Sequence, residues 1–464
     1  MPLRSDGTSD IIRAEMSKIL PGAGKMSQIQ RTRIFTFGVI TLLLGYEVAL
    51  AQTATEQLVR DQRAVVRPRP DRGETVTNRP RPELDPLGVR AGSFLVSPRL
   101  RVQEIYNDNI FATDTDKKDD FITLIRPQLD IASDWNNHAF DVRANGTIGR
   151  HADQTEEDFE DFSVGANGRL DITQRAKLRA GVSYDRLHEG RGSPDDVRRE
   201  DGSLPVEPTI FDVGSAFLTY EQWFGRFLLE LNGAADQLDY DNVMTEDGGT
   251  INNDDRDRAI IAGGLKLGYE LIPGYTAFVR SAVDHRRYDN LDAFNPRDRD
   301  SDGYLIEVGT DLNLTGVLFG DAAIGYRSQD YDDLRLDTVG GIAGRASLTW
   351  TPTGLTTASA FITREIIETT ADAAAAIFET SGRLVLDHEL LRNLLLQARV
   401  SVTNDDFEGI DRSDTYIAAG FGVNYLMNRY LRLDLNYDYL DLGSDAQDQD
   451  FTANTVSLGV LVHL

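Results

Sequence analysis

The chain contains no cysteine. This excludes disulfide staples, thiolate metal sites, thiol catalysis and a lipid-modified N-terminal cysteine. It also lacks any apolar run of the ~20 residues that a membrane-crossing helix needs, and its mean hydropathy is -0.34. A bundle of transmembrane helices is therefore excluded. Histidine is scarce, and His138, His151, His188, His285, His388 and His463 form neither H-E-x-x-H nor a close pair. Zinc chemistry is left without a ligand pattern. No G-x-S-x-G elbow marks a nucleophile, so the expectation is a protein that is not an enzyme and needs no cofactor or metal. Basic charge is short too, with 48 Lys and Arg against 75 Asp and Glu, a formal charge of -27. A phosphate-binding surface wants the opposite sign, so nucleic acid is not an expected partner. What is plentiful is aromatic, 16 Tyr and 20 Phe, while methionine numbers only five. That usage suits strands better than helices.

The N-terminus reads as an address. Arg31 and Arg33 precede the short apolar run from Ile34 to Leu44, and Ala49-Leu50-Ala51 follows as a small-x-small exit. A basic flank, a short apolar core and a small-residue cleavage site make a secretory signal peptide over residues 1–51, with Met26 as an alternative start. Residues 52–91 have a different character. Val66-Arg67-Pro68-Arg69-Pro70 and Asn78-Arg79-Pro80-Arg81-Pro82 combine proline and arginine with no apolar periodicity. This is the composition of an extended periplasmic linker. Docking to a periplasmic partner and insertion into an acidic barrel as a plug are the alternatives.

From residue 92 to 464 one pattern recurs. Val456, Leu458, Val460, Val462 and Leu464 share one parity, and Ser457, Gly459 and His463 hold most of the other. Leu431, Leu433, Leu435, Tyr437 and Tyr439 alternate with Arg432, Asp434, Asn436 and Asp438. Side chains alternate across a strand, so each segment has one apolar and one polar face. Segments 211–222 and 357–364 alternate poorly. The connections come in two kinds that take turns. Tight ones include Asp134 to Asn137, Thr173 to Arg175, Ile272 to Gly274 and Met427 to Arg429. Long acidic ones cover 107–120, 151–160, 188–209, 241–257, 286–302 and 443–450. Short turns at one end and long loops at the other are the connectivity of a bacterial outer-membrane barrel. The expected fold is thus all-β, a transmembrane antiparallel up-and-down barrel of about 18 strands, with 16 as the alternative.

A barrel of this size encloses water rather than a packed core. Polar parity nominates both signs for the lumen: Arg101, Arg126, Arg143, Arg169, Arg179 and Arg432 against Asp141, Asp311 and Asp434, with Asp130 and Asp171 beside them. Asp298-Arg299-Asp300-Ser301-Asp302-Gly303 resembles the start of a calcium loop, but the twelfth position is Gly309 and Glu307 falls two residues early. A solvated acidic loop is the reading taken, with bridging of loops to lipopolysaccharide by divalent ions as the alternative.

Tyr106-Asn107-Asp108-Asn109-Ile110-Phe111 follows the first strand. It is succeeded by Ile125-Arg126-Pro127-Gln128-Leu129 and by Asp134-Trp135-Asn136-Asn137-His138-Ala139-Phe140. This order resembles the type 2 family of β-barrel outer-membrane porins of proteobacteria. The resemblance implies a Gram-negative outer-membrane location and makes Tyr106, Asn107, Asp108, Asn109, Phe111, Pro127, Asp134, Trp135 and His138 signature residues. It also implies outer-membrane lipids, lipopolysaccharide and the barrel assembly machinery as partners, and a link to periplasmic polysaccharide-export components. One departure is Leu464, where such barrels usually end on an aromatic. The functional expectation is a pore or conduit for hydrophilic solutes, with exopolysaccharide export as a specific form. The alternative is a non-conducting structural or adhesion barrel acting through its acidic loops.

Overall fold

The structure, a computed structural model, describes residues 74–193, 205–245, 248–291, 297–313, 316–369, 371, 374–446 and 449–464. The signal peptide and residues 52–73 of the linker lie outside the described residues.

A three-residue strand, β1 (Val89–Ala91), leads into the wall. The first seven wall strands are β2 (Phe94–Asn107), β3 (Asp120–Ser133), β4 (Ala139–His151), β5 (Phe159–Thr173), β6 (Ala176–His188), β7 (Ile210–Phe224) and β8 (Phe227–Tyr240). A small hairpin of β9 (Val243–Met244) and β10 (Thr250–Ile251) interrupts. The wall resumes with β11 (Arg258–Ile272), β12 (Tyr275–Tyr288), β13 (Ser301–Asn313), β14 (Leu318–Tyr331), β15 (Val339–Thr353) and β16 (Thr356–Ile367). It ends with β17 (Ala376–Leu391), β18 (Leu394–Glu408), β19 (Ser413–Leu426), β20 (Leu431–Ser444) and β21 (Phe451–His463). Every wall strand pairs antiparallel with its sequence neighbours, and β2 closes on β21 from Arg99 opposite His463 to Asn107 opposite Thr455. The result is a closed barrel of 18 strands, as the alternation predicts.

Strand length follows from what the wall must cross. Fourteen residues at ~3.3 Å each give about 46 Å, and a tilt of about 40° leaves a rise of about 35 Å, more than the ~25 Å apolar band of such barrels. Within that band one parity is exposed and apolar, as at Leu100 and Val102 on β2 or Val456, Leu458 and Val460 on β21. The other parity is buried or half-buried and largely polar.

Two sequence expectations need correction. The segment 286–302 is too long for a loop: Arg286, Arg287 and Tyr288 complete β12, and Ser301 opens β13 opposite Arg286. Segments 211–222 and 357–364, irregular in sequence, lie within the regular strands β7 and β16. Their alternation fails because apolar residues also point inward there. Phe211 and Val213 cluster with Leu238, Tyr240 and Ile260 inside the long-loop end, and Phe361 faces Arg383 across the inner wall, 5.6 Å from ring to guanidinium.

Candidate functional site

The barrel interior is the candidate site, and its chemistry is that of ion pairs strung between strands. A residue on one strand faces inward beside residues of matching parity on its neighbours, so long charged side chains meet across the ladder. On β12 to β15, Glu307 forms ion pairs with Arg280 and Arg345, at 2.9 Å each, and Arg345 also lies 3.5 Å from Asp321. Toward the long-loop end Asp284 takes Arg327 at 2.8 Å and Arg286 at 3.2 Å. Toward the other end Lys266 pairs with Asp311 at 3.3 Å and lies 4.0 Å from the Phe278 ring centre. Most of these side chains are withdrawn from water.

The residues nominated from sequence fall largely on the remaining wall. Arg101 pairs with Asp434 at 3.4 Å, and Arg126 donates to Gln103 at 3.2 Å. Arg143 donates to Asp130 at 2.6 Å, Arg169 to Asp171 at 2.9 Å and Arg179 to Glu221 at 3.0 Å. Asp141 accepts from Asn167 at 3.3 Å. Arg432 sits within electrostatic reach of Arg101, Arg99 and Asp434. Part of this wall keeps more water: Arg143 is 41% exposed, against 4% for Arg280, while Arg101 and Asp434 are withdrawn. Sequence reasoning missed Lys266, Arg280, Asp284, Arg286, Arg327 and Arg345. Parity set by Val279 and Val283 on the outer face marks Arg280, Asp284 and Arg286 as inward, and only Arg286 falls in the stretch expected to be loop.

At the long-loop mouth, Glu368 and its described neighbours in the β16–β17 hairpin reach toward the β12 side of the barrel. Pairing of β16 with β15 stops at Arg364 opposite Gly344, while β15 itself continues to Val339 against β14. Beyond that point both faces of the hairpin are buried. Ile366, Ala375, Ala376 and Phe378 pack on Tyr331, Leu336 and Val339, and Ile367, Ala374 and Ile377 pack on Phe407. Glu368 pairs with Arg286 and accepts from the Tyr288 hydroxyl at 2.7 Å, reaching inward-facing residues of β12, four strands away. Arg299 donates to the Ala374 carbonyl at 3.1 Å. A second inward fold follows β6, where Arg191 forms a buried pair with Glu157 at 2.5 Å. Gly192 there has φ +78° with Ala112 and Phe451 each 2.8 Å from where a Cβ would stand, so only glycine fits.

Much of the loop acid has a structural task. The last amide of one strand donates to an aspartate at the start of the next: Tyr240 to Asp257 at 2.7 Å, Tyr288 to Asp300 at 2.6 Å, His151 to Asp158 at 2.7 Å. This satisfies a backbone donor that the ladder no longer serves. Asp298, Asp300 and Asp302 do not converge on a point. Asp298 accepts from the Asp300 amide, Asp300 from Tyr288, and Asp302 faces the other side of β13 against His285 at 2.9 Å. No group of three or more metal-ligating side chains occurs among the described residues.

Burial, reinforced by Asp239, Asp254 and Asp289, pushes the Asp257 carboxyl up to about 7. In an unfolded loop an aspartate titrates near ~4. The folded loop is therefore favoured fully below that value and loses the advantage as pH rises through 7. Proteolysis of loop 241–257 is expected to speed up between pH 5 and pH 8, and D257N, which keeps an acceptor for Tyr240, is expected to flatten the dependence. An unchanged pH slope in D257N would refute this assignment.

The short-turn mouth holds residues 74–88. The linker expectation differs from the structure here, because this part packs against inner-face residues. The Val76 amide donates to Thr357 Oγ1 at 2.9 Å, and Val76 itself is 1% exposed. Arg79 and Arg81 both donate to Glu389, at 2.6 and 2.7 Å. Arg392 binds Glu83 at 2.9 Å, Arg429 donates to the Pro82 carbonyl at 3.3 Å, and the Gly88 amide donates to the Leu464 carbonyl at 3.1 Å. The Glu83 carboxyl is held below its usual range by a backbone hydrogen bond and by Arg392.

The signature residues sit where the first strand meets the last. Asp108 accepts from the Asn454 amide at 2.6 Å and from its side chain at 2.7 Å. Asn109 is fully buried; its amide group donates to the carbonyls of Thr113 and Thr452 at 2.8 and 2.9 Å and accepts from the Thr113 amide at 3.1 Å. Asn107 accepts from the Asn109 amide at 2.9 Å. Tyr106 packs on Phe121 and donates to Asp119 at 3.1 Å, and Phe111 lies under Lys118 and Arg191. The later signature residues fasten the opposite end. The Asp134 amide donates to the Ser93 carbonyl at 2.8 Å, Trp135 donates to Ser93 Oγ at 3.2 Å and packs on Phe94, and the His138 amide donates to Asp171 at 2.8 Å. Pro127 lies on β3 where the ladder to β4 skips two positions without changing register.

A closed antiparallel barrel with an apolar outer band, a charged interior and long loops at one end is a porin-type barrel of the bacterial outer membrane. The sequence family described as "Putative beta-barrel porin 2" matches residues 81–464, and the chain belongs to it. No curated protein matches the chain in sequence. The solved structures to which it is similar include three Pseudomonas aeruginosa proteins. The outer membrane protein OpdK shares 11% identity over 80% of this chain and 99% of that chain, with a TM-score of 0.43. OpdL shares 13% over 81% and 99%, with a TM-score of 0.41. OccK2 (OpdF) in complex with glucuronate shares 12% over 80% and 98%, with a TM-score of 0.44.

Proposed function

We propose that the protein is a channel for small hydrophilic solutes, with its short turns in the periplasm and its long loops outside. The observation that carries this is the apolar outer face of the wall strands set against an inner face that, on most of the wall, carries ion-paired Arg, Lys, Asp and Glu. Such an inner face solvates a polar solute, and the outer band suits lipid. Residues 365–369 and 374–378, latched inward through Glu368 to Arg286, narrow the outer mouth. That favours small solutes over a polymer, so polysaccharide export has no observation in its favour. Adhesion through acidic loops is weakened likewise, since Asp108, Asp257 and Asp300 are engaged in strand-end hydrogen bonds.

Liposome swelling with sugars of increasing length tests the size limit. Swelling with mono- and disaccharides and none with long oligomers is expected; equal entry of long oligomers would overturn the small-solute reading. The formal charge of -27 should also concentrate cations at the mouth within a Debye length of about 8 Å. Reversal potentials in a salt gradient are expected to show a cation preference that fades as ionic strength rises. Anion preference at low salt would contradict it.

A further inference from the structure

We infer that residues 74–88 are an inhibitory plug of the channel, latched in its short-turn mouth by the shared carboxylate of Glu389. The inference rests on the channel reading above and deepens it. Glu389 belongs to the inward parity of β17 and is nearly fully buried. Both cations that neutralise it at hydrogen-bond distance, Arg79 and Arg81, come from the segment. Arg81 is 2% and Val76 1% exposed, so these two side chains are seated within the mouth while Pro80, Pro82, Glu83 and Leu87 stay exposed. While the segment stays docked the buried carboxylate needs both cations, because an unpaired buried charge is costly. Glu389 is thus the one buried charge that holds the segment, with Thr357, Arg392, Arg429 and the Leu464 carbonyl as weaker contacts around it.

Its manner of attachment makes it removable. Residues 74–88 form turns, closed by local bonds such as the Asp85 amide to the Arg81 carbonyl at 2.7 Å, and add no strand to the wall. The ladder from β2 round to β21 is complete without them. Departure of the segment would therefore uncover Thr357 and Glu389 to water while leaving the barrel closed. Pro80 and Pro82 restrict the backbone around the latch, which lowers the entropy lost when it re-docks.

Single-channel recording tests this with three variants, each first shown to be folded by heat-dependent gel mobility. Deleting residues 74–88, joining Gly73 to Val89, is expected to raise the step size severalfold. Glu389→Gln is expected to make the full-length chain visit that larger step more often. V76C/T357C, in a chain with no other thiol, is expected to hold the small step when oxidised and to release it on reduction. A folded deletion variant with unchanged steps would overturn the plug and leave the channel standing, as would larger steps that persist in the oxidised pair. No conductance from any variant would overturn the channel reading and the plug together.

Discussion

Replacing Glu307 by alanine is expected to destabilise the folded barrel by about 3–5 kcal/mol, the usual cost of leaving buried charge without its partner. Glu307 is 3% exposed and stands between Arg280 and Arg345, which are 4% and 10% exposed. Asp321 stands 3.5 Å from Arg345. By contrast, Arg143→Ala removes a pair that water already screens, worth about 0–1 kcal/mol. The urea midpoint for loss of heat-resistant gel mobility reads both. A Glu307→Ala midpoint no lower than that of Arg143→Ala would show that the β12–β15 pairs are solvated, and the division into a dry and a wet wall would fail.

The second large effect is expected at Asn109. Its side chain serves the Thr113 amide and the carbonyls of Thr113 and Thr452 from a fully buried position. Asn109→Ala orphans these groups, at about 2–4 kcal/mol in all given ~1 kcal/mol for each lost bond plus desolvation. The loss falls on the seam between β2 and β21, the one joint that no hairpin turn connects. The variant is therefore expected to lose heat-resistant mobility at lower urea, whereas Asn428→Ala in an exposed turn should not. Equal behaviour of the two variants would mean that the signature has no role in closure.

These two sites show what a single sequence can and cannot reveal. The strands were legible because a lipid-facing wall forces period-two alternation, as in Val456 to Val462, and because turn lengths sort by end. The inward parity of Arg101, Arg143 and Asp434 was readable for the same reason. Pairing was not, since Arg101 meets Asp434 only through closure of the barrel, across 333 positions of sequence. Residues 365–369 and 374–378 hid because both faces of the hairpin are buried there, which erases alternation. The docked part of the N-terminal segment hid for the opposite reason: Asn78-Arg79-Pro80-Arg81-Pro82 has no periodicity at all, and its fit depends on Glu389, 308 positions from Arg81. The signature Tyr106 to Phe111 was visible as a motif, while its task at the seam needed the last strand beside it.

The central claim is a closed barrel with water inside and lipid outside, and cysteine scanning of β4 tests it most directly, since no native thiol competes. Single cysteines at Asp141, Arg143 and Asn145 in membrane-inserted protein are predicted to react with a small water-soluble thiol reagent, and those at Phe140, Val142 and Ala144 to resist it. Reaction at all six positions, or at none, would contradict the account.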